Sequence, residues 1–261
     1  MSHMATTRAD TDTRSLYKAP ALMKGLDIVE LPVAQDRAMS INEISEKLDR
    51  TRNEIVRMIH TLEERDYIAR SSADGKYEVT NKMFEMGLSR NRNQVLLEVV
   101  VPLMHALNDH IQQSSHLAVP SMSHIVNVAE VDDPGPIRLS LRLGHIQKMA
   151  KATSGQLLFA HQPADVRETW LRWLMEDGQV DDADAFMRTA DELSGKPFVS
   201  RESVYVSGVT DICAPVFADG RAVAALAVPF IRKLNTNINV RAAGKHVLAT
   251  ARAISEQLRT R

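Results

Sequence analysis

The chain has 261 residues, enough for two modest domains that each bury a core. Its hydrophobic fraction of 44% and charged fraction of 25% are those of an ordinary globular protein, which excludes a largely disordered or membrane-embedded chain. The formal net charge is −1, and residues 1–92 carry 15 basic and 15 acidic side chains, so the bulk charge gives no sign of nucleic-acid binding.

Residues 1–18 are predicted to form a flexible arm. Residues 1–4 are interpreted as an expression-vector remnant and are set aside. Arg8 and Arg14 belong to the type of basic arm that reaches a minor groove, and plain disorder of the arm is the alternative. Neither a secretory signal nor a membrane-spanning run of ~18 apolar residues is found. With Cys213 as the single cysteine, a disulfide framework is excluded and the expected location is the cytoplasm, without membrane attachment.

Residues 19–80 are predicted to form a winged helix-turn-helix. Pro20 is placed where a first helical residue can lack its N–H, and Pro32 is expected to end that first helix. Ser40 and Glu43 form a capping box that starts a short second helix.

The stretch 49–66 is predicted to be the helix that enters a DNA groove. Thr51 and Glu54 form a second capping box at its start. Its apolar residues follow the i, i+3, i+4, i+7 spacing, and Asn53 and Arg57 fall on the opposite face. Arginine and asparagine are well shaped to bind guanine and adenine edges in a major groove. For this helix alone, an ordinary surface helix with a solvated polar face is the alternative.

Two short strands at 67–70 and 76–79, joined by a turn containing Asp-Gly, predict the β-hairpin called a wing. Three helices and a hairpin in about 60 residues are much more specific than any one of these parts. The candidate DNA-contacting residues are Arg50, Thr51, Arg52, Asn53, Arg57, His60, Arg70 and Lys76.

Residues 81–92 are predicted to be a linker helix, with the domain boundary at 91–93 and a second domain over 93–261. Apolar residues then recur at helical spacing from Leu96 to Ile111, as core or as a dimer seam. Pro102 is expected to kink that helix or displace its start.

The rest of the second domain is predicted to be α+β, with helices on an antiparallel sheet. Strands are predicted at 116–120, 124–131, 137–143, 203–206, 211–217 and 222–230, and helices at 153–161, 166–175 and 239–258.

The usual catalytic motifs are absent: there is no nucleophile elbow, phosphate loop or metal-binding H-E-x-x-H helix. His116 and His124 lie in predicted strands, where a shared metal is an alternative to satisfied or exposed histidines. No activating histidine lies near Cys213 in sequence. These absences favour sensing over catalysis, and neither a metal nor a cofactor is expected.

Several stretches together resemble the IclR family of bacterial transcriptional regulators. They are 48–68, the Leu-Gly-His of 143–145, the Ala-Thr-Ser-Gly-Gln-Leu-Leu of 152–158, Glu202, the Gly-Val of 208–209, the Ala-Pro-Val of 214–216 and the Ala-Ala-Leu-Ala-Val of 224–228. The resemblance implies a winged helix-turn-helix joined to a GAF-like ligand-sensing domain. Two positions depart from the family pattern. Asp66 replaces the usual glycine and is expected in a left-handed conformation, while Glu54, where serine or threonine is common, is expected to act mainly as a cap.

The same resemblance implies an effector pocket and its lining. The matching positions are Leu139, Leu141, Met149, Thr153, Ser154, Gly155, Asp211, Cys213 and Ala227. The start of the helix at 153–161 is expected to receive a ligand carboxylate, although Thr153 and Ser154 are equally expected simply to cap it. The lining predicts a small organic acid with an apolar or aromatic body.

The expected function is a ligand-responsive, sequence-specific regulator of a catabolic operon, acting as repressor or activator. Its expected partners are double-stranded DNA with a pseudo-palindromic operator, a small-molecule effector, and further copies of itself in a dimer or a dimer of dimers. A protein-interaction module that uses the winged helix, and a small-molecule enzyme, are the two alternatives.

Overall fold

The structure is a computed structural model that describes residues 19–89, 91–133, 135–234 and 236–260. The predicted arm, 1–18, lies outside the described residues. The chain divides into two compact units, one ending at Arg90 and one beginning at Asn91, and each is described by itself. In the described part of the chain, no helix combines the length and apolar character that crossing a membrane requires.

The first unit is a winged helix-turn-helix followed by a short helix, as predicted. Its elements are α1 Pro20–Gln35, α2 Ile41–Lys47, α3 Arg52–Glu64, β1 Ile68–Arg70, β2 Tyr77–Val79 and α4 Lys82–Leu88. Strands β1 and β2 pair antiparallel, and Met39 bridges to Tyr77 beside them. One small core joins all of these elements except α4, and its buried members are Ile28, Val29, Met39, Ile44, Ile55, Ile59, Ile68 and Tyr77.

The first helix does not end at Pro32, contrary to the prediction. It continues to Gln35 and stops where Asp36 adopts a left-handed conformation, with φ of 50°. A proline inside a helix removes one backbone hydrogen bond and crowds the preceding turn. Pro32 is buried beside Ile28 and Val29, and we infer that this packing offsets the lost bond.

Both helices of the helix-turn-helix begin at capping residues, as predicted. The Ser40 N–H donates to Glu43 at 2.8 Å, and the Glu43 N–H donates to the Ser40 hydroxyl at 3.3 Å. The Glu54 carboxylate accepts hydrogen bonds from the N–H and the hydroxyl of Thr51, each at 2.9 Å. Asp66 has φ of 59°, the left-handed conformation expected where the family has glycine.

The second unit is an α+β domain built on one antiparallel sheet, as predicted. Its elements are α5 Asn91–Ile111, β3 Ser115–Ser121, β4 His124–Val131, β5 Ile146–Lys148, α6 Thr153–Ala160, α7 Ala164–Glu176, α8 Ala183–Ser194, β6 Val199–Glu202, β7 Val209–Ala218, β8 Arg221–Ile231 and α9 Val240–Arg259. The strand order is β5-β4-β3-β8-β7-β6. Helices α5 and α9 share one core with the sheet, while α6, α7 and α8 share a second core with it.

Helix α5 continues through Pro102, so this proline does not displace the start of the helix. The helix begins at Asn91 and therefore includes residues 91–93, where the domain boundary was predicted. The apolar stripe of α5 packs in the core of the second unit. Val100, Leu107 and Ile111 are buried among residues of α9 and the sheet.

The predicted strand at 137–143 is wrong, and the edge strand is β5 instead. The Asn127 side-chain amide donates to the carbonyls of Leu141 and Arg142 at 2.7 and 3.1 Å, and the Asn127 backbone bonds to Gly144 and His145. These bonds hold the segment before β5 as a turn, so the β4 edge first finds a strand partner at Ile146.

Two other predictions in the second unit were incomplete or wrong. The segment 203–206 is not a strand. Its apolar side chains are exposed, and the real strand, β6, ends at Glu202. Helix α8 was missed, although Phe186, Ala190 and Leu193 have helical spacing and the Asp182 side chain caps its start at 2.9 Å.

We predict that Gly155→Ala destabilises the fold by about 1–3 kcal/mol because it overpacks α6. An added Cβ would lie 2.4 Å from the carbonyl oxygen of Met149, which is backbone and cannot move aside cheaply. Urea unfolding of the full chain measures the loss.

Gly195→Ala is the matched control for this prediction. Nothing lies within 4 Å of its added Cβ, and its φ of −79° suits any residue, so a change below about 0.5 kcal/mol is expected. Equal losses in the two variants would contradict the close contact at Gly155.

Candidate nucleic-acid interface and ligand cavity

Helix α3 presents its polar side to solvent because Ile55 and Ile59 anchor its other side in the core of the first unit. Asn53, Arg57 and His60 are exposed on the outward side of the helix. Arg50 and Arg52 are exposed at its start. The structure therefore brings the predicted helix residues together on one accessible surface, which we call the α3 face.

Two acidic residues of the helix-turn-helix, Glu54 and Glu43, are engaged in ion pairs. Glu54 pairs with Lys24 of α1 at 2.9 Å, and Glu43 pairs with Arg37 at 2.7 Å. The bond from the Thr51 N–H, with the Lys24 contact second, lowers the pKa of Glu54 to about 2. Within the part of the chain that the structure describes, no ion pair is found for Arg50, Arg52 or Arg57.

The wing is held close to the helical core. The Arg70 guanidinium donates to the carbonyl of Gly75 at 3.3 Å and lies 5.9 Å from the centre of the Tyr77 ring. Tyr77 exchanges two backbone hydrogen bonds with Met39, at 2.9 and 2.8 Å. Lys76 is half-buried, and its Nζ lies 3.7 Å from Asp74. The Arg70 side chain is thus held against the wing by its contacts with Gly75 and Tyr77. The Thr51 hydroxyl donates its hydrogen bond to Glu54.

The second unit contains a cavity of about 140 Å³ between the sheet and the start of α6. Seven of the nine predicted pocket residues line it: Leu139, Leu141, Thr153, Ser154, Asp211, Cys213 and Ala227. Met149 and Gly155 are not in the lining. Met149 is fully buried in the core that contains α6, and Gly155 packs against the Met149 backbone.

Sequence reasoning missed several lining residues because their proximity depends on the sheet register. They are His116, Ser140, Gln147, Ala152, Ser203, Tyr205, Val206, Val209 and Val228. Strand β3 pairs with β8 so that His116 is opposite Ala227, and β8 pairs with β7 so that Ala227 is opposite Cys213. His116 was detectable as a histidine in an apolar strand, but not as a cavity residue.

A carboxylate already lies at the start of α6. The Thr153 hydroxyl donates to Asp211 at 3.4 Å. Burial raises the pKa of Asp211, while hydrogen bonds from Ser203 and Thr153 oppose that rise. Burial, followed by the charge of Asp211, also raises the pKa of Cys213 well above its usual value, which keeps this residue a neutral thiol.

His116 is the most unusual polar residue of the cavity. Its Nδ1 atom is buried and has no hydrogen-bond partner within the described residues. Burial, followed by the nearby charge of His145, lowers its pKa to about 4, so the imidazole is neutral near pH 7.

The two strand histidines are not neighbours. His116 is opposite Glu130, and His124 is opposite Ser121 at the other end of the same strand pair. A search of the described residues finds no group of three metal-ligating side chains.

Two family models match the chain in the order of its two units. The model for the IclR helix-turn-helix domain matches residues 21–72. The model for the bacterial transcriptional regulator IclR C-terminal domain matches residues 91–256, more than half of the chain.

Individual proteins are similar over most of their length. The regulator KdgR of Escherichia coli K12 is 22% identical over 203 residues, covering 76% of this chain and 77% of KdgR. The repressor AllR of Klebsiella pneumoniae is 24% identical over 246 residues, covering 92% of this chain and 90% of AllR. The crystal structure of an IclR homolog complexed with 4-hydroxybenzoate, from Microbacterium hydrocarbonoxydans, has a TM-score of 0.74 at 19% identity, covering 92% and 100%. With both domain models matched in order, the chain belongs to the IclR family of bacterial transcriptional regulators.

Proposed function

We propose that this regulator binds a pseudo-palindromic operator beside a catabolic operon through its α3 face and responds to a small organic acid. The observation that carries the DNA-binding part is the α3 face itself, where Arg50, Arg52 and Arg57 are exposed and Glu54 is turned to Thr51 and Lys24. Arginine and asparagine on such a helix are suited to base edges and phosphates. The protein acts in the cytoplasm, as repressor or activator.

The effector is an organic acid with an apolar or aromatic body. A cavity of about 140 Å³ is close in size to one on the order of 150 Å³ that holds benzene, so it suits a single ring. Leu139, Leu141 and Ala227 supply apolar lining. The complex of the Microbacterium homolog with 4-hydroxybenzoate supports the same class of ligand.

Regulation requires a dimer, or a dimer of dimers, that presents two α3 faces to half-sites one helical turn apart. The effector changes operator affinity only as far as it binds two conformations of the dimer differently, which typically amounts to ~1–3 kcal/mol. Cys213 does not favour an enzyme, because its thiol is neutral and buried.

A binding titration tests the proposal, using the purified protein and the intergenic DNA beside its own gene at two salt concentrations. Tight, saturable binding that protects a palindrome is expected. We predict that Arg57→Ala weakens specific binding by ~1–3 kcal/mol and relaxes base preference, because it removes a base contact.

Arg188→Ala is the charge-matched control, since Arg188 is exposed on α8 of the second unit. Its operator affinity should be unchanged. If Arg57→Ala binds as tightly as the native protein, the α3 face is not the sequence-reading surface. Native binding that is weak and lost with modest salt would favour a protein-interaction role for the winged helix.

We predict that Lys76→Ala weakens binding to all DNA sequences alike and reduces the salt dependence, with a slope smaller by about 1. The reason is that a wing lysine contacts phosphate rather than bases. Titrations against operator and unrelated DNA across a salt series measure both effects. A loss confined to the operator would show that the wing reads bases.

We predict that single-ring carboxylic acids, including 4-hydroxybenzoate, raise the melting temperature of the protein and change its operator affinity. Ligands that bind only the folded state stabilise it by a free energy that grows with the logarithm of the ligand concentration relative to Kd. Pyruvate and glyoxylate are the controls, since they are acids too short to fill the apolar lining. Stabilisation by these short acids alone would contradict the effector class.

A further inference from the structure

We propose that His116 binds the carboxylate of the effector and that its imidazole takes up one proton from solvent as the effector binds. The inference rests on the proposed function, since it assumes a carboxylic acid in the cavity. It adds which residue binds the acid and how the affinity for the effector depends on pH. Apart from this protonation, no covalent bond is formed or broken.

The first argument is geometric. His116 is 7% exposed, lines the cavity and has an unpartnered Nδ1. Buried polar atoms in folded proteins almost always have a partner, and one without a partner costs about 1–3 kcal/mol. Nδ1 is itself closed off in this conformation, so the imidazole must rotate toward the cavity for a ligand oxygen to become the partner that the fold does not supply.

The second argument is charge. Among the described residues that line the cavity, His116 is the only basic one. Arg201 is not part of the lining and donates to the Gln156 side chain at 2.8 Å. An ionised carboxylate that leaves water needs a paired charge or good hydrogen bonds, and a protonated imidazole provides both.

The third argument excludes the start of α6 as the place for the acid. The Asp211 carboxylate lies there in contact with Thr153 and would repel a second carboxylate. Asp211 belongs to β7 and His116 to β3, with β8 between them. Two strand spacings separate their backbones by roughly 10 Å, so the repulsion at His116 is weaker.

The groups around His116 set the direction of the pH effect. Glu130 of β4 is opposite it, and His145 lies near it beyond that strand. Asp211, Cys213 and Tyr205 share the cavity. With the free pKa at about 4, His116 is neutral at pH 6–8, and a bound carboxylate raises that pKa. Binding therefore takes up a proton, so affinity rises as pH falls through the pKa of the complex.

Calorimetry of the full-length protein tests the inference, with 4-hydroxybenzoate as the probe and 4-hydroxybenzamide as its neutral match. At pH 6, 7 and 8, in two buffers of different ionisation enthalpy, net proton uptake is expected, approaching one proton per site below the pKa of the complex. Affinity for the acid should rise on acidification, by up to tenfold per pH unit below the pKa of the complex, and affinity for the amide should not change.

Two variants show which residue takes up the proton. In His116→Gln, which keeps a polar side chain, the dependence of affinity on pH should disappear, and affinity for the acid at pH 6 should fall at least tenfold. Asp211→Asn should change the affinity but keep the slope. Histidine NMR of the native protein, which needs no variant to fold, should show one buried imidazole becoming protonated with the acid.

Three results would overturn the inference and leave the effector class intact. They are binding of the acid without proton uptake, an unchanged slope in His116→Gln, and loss of the slope in Asp211→Asn. Failure of every carboxylic acid in the screen to bind the native protein would instead overturn the proposed effector class, and this inference with it.

Discussion

The Glu54 carboxylate joins α1 to the start of α3 by accepting from the Thr51 N–H and hydroxyl while pairing with Lys24. One side chain therefore fixes where α3 begins and ties it to a neighbouring helix, and its own charge is paired with Lys24. The orientation of Arg57 follows, because the helix start and the buried Ile55 leave it only the solvent side. The balanced charge of residues 1–92 is thus compatible with an exposed basic surface.

In the second unit most buried polar side chains have partners, and among the described residues the atoms without one are His116 Nδ1, Asn127 Oδ1 and Asp132 Oδ1. The Asn108 side chain donates to the Val131 carbonyl at 2.7 Å, and Gln113 exchanges two hydrogen bonds with the Ile231 backbone. The buried carboxylate of Asp133 pairs with Lys233. Such bonds stabilise the ends of α5 and the sheet. His116, with an unpartnered Nδ1, differs from them in lining a space that a ligand can fill.

Features that depend on local chemistry were predictable from the sequence. Capping boxes, the Asp-Gly turn of the wing and the apolar periodicity of the helices act within a few residues, so the winged helix-turn-helix, the α+β class of the second domain and the α3 face followed from them. Features that depend on distant partners were not. Asn127 holds the segment before β5 away from strand pairing, Gly155 is required by the Met149 backbone, and His116 enters the cavity only through the register of β3 with β8.

The absence of a fixed cation from the described cavity lining has a consequence for selectivity. A pocket with a permanently charged arginine would attract most small anions, whatever the rest of their structure. A neutral imidazole becomes positive only if the ligand also contributes enough apolar contact to offset the cost of charging a buried group. Leu139, Leu141 and Ala227 provide that contact for a ligand with an apolar body. Apolar surface and proton uptake are therefore linked requirements, and a short hydrophilic acid, which lacks the apolar surface, meets neither of them.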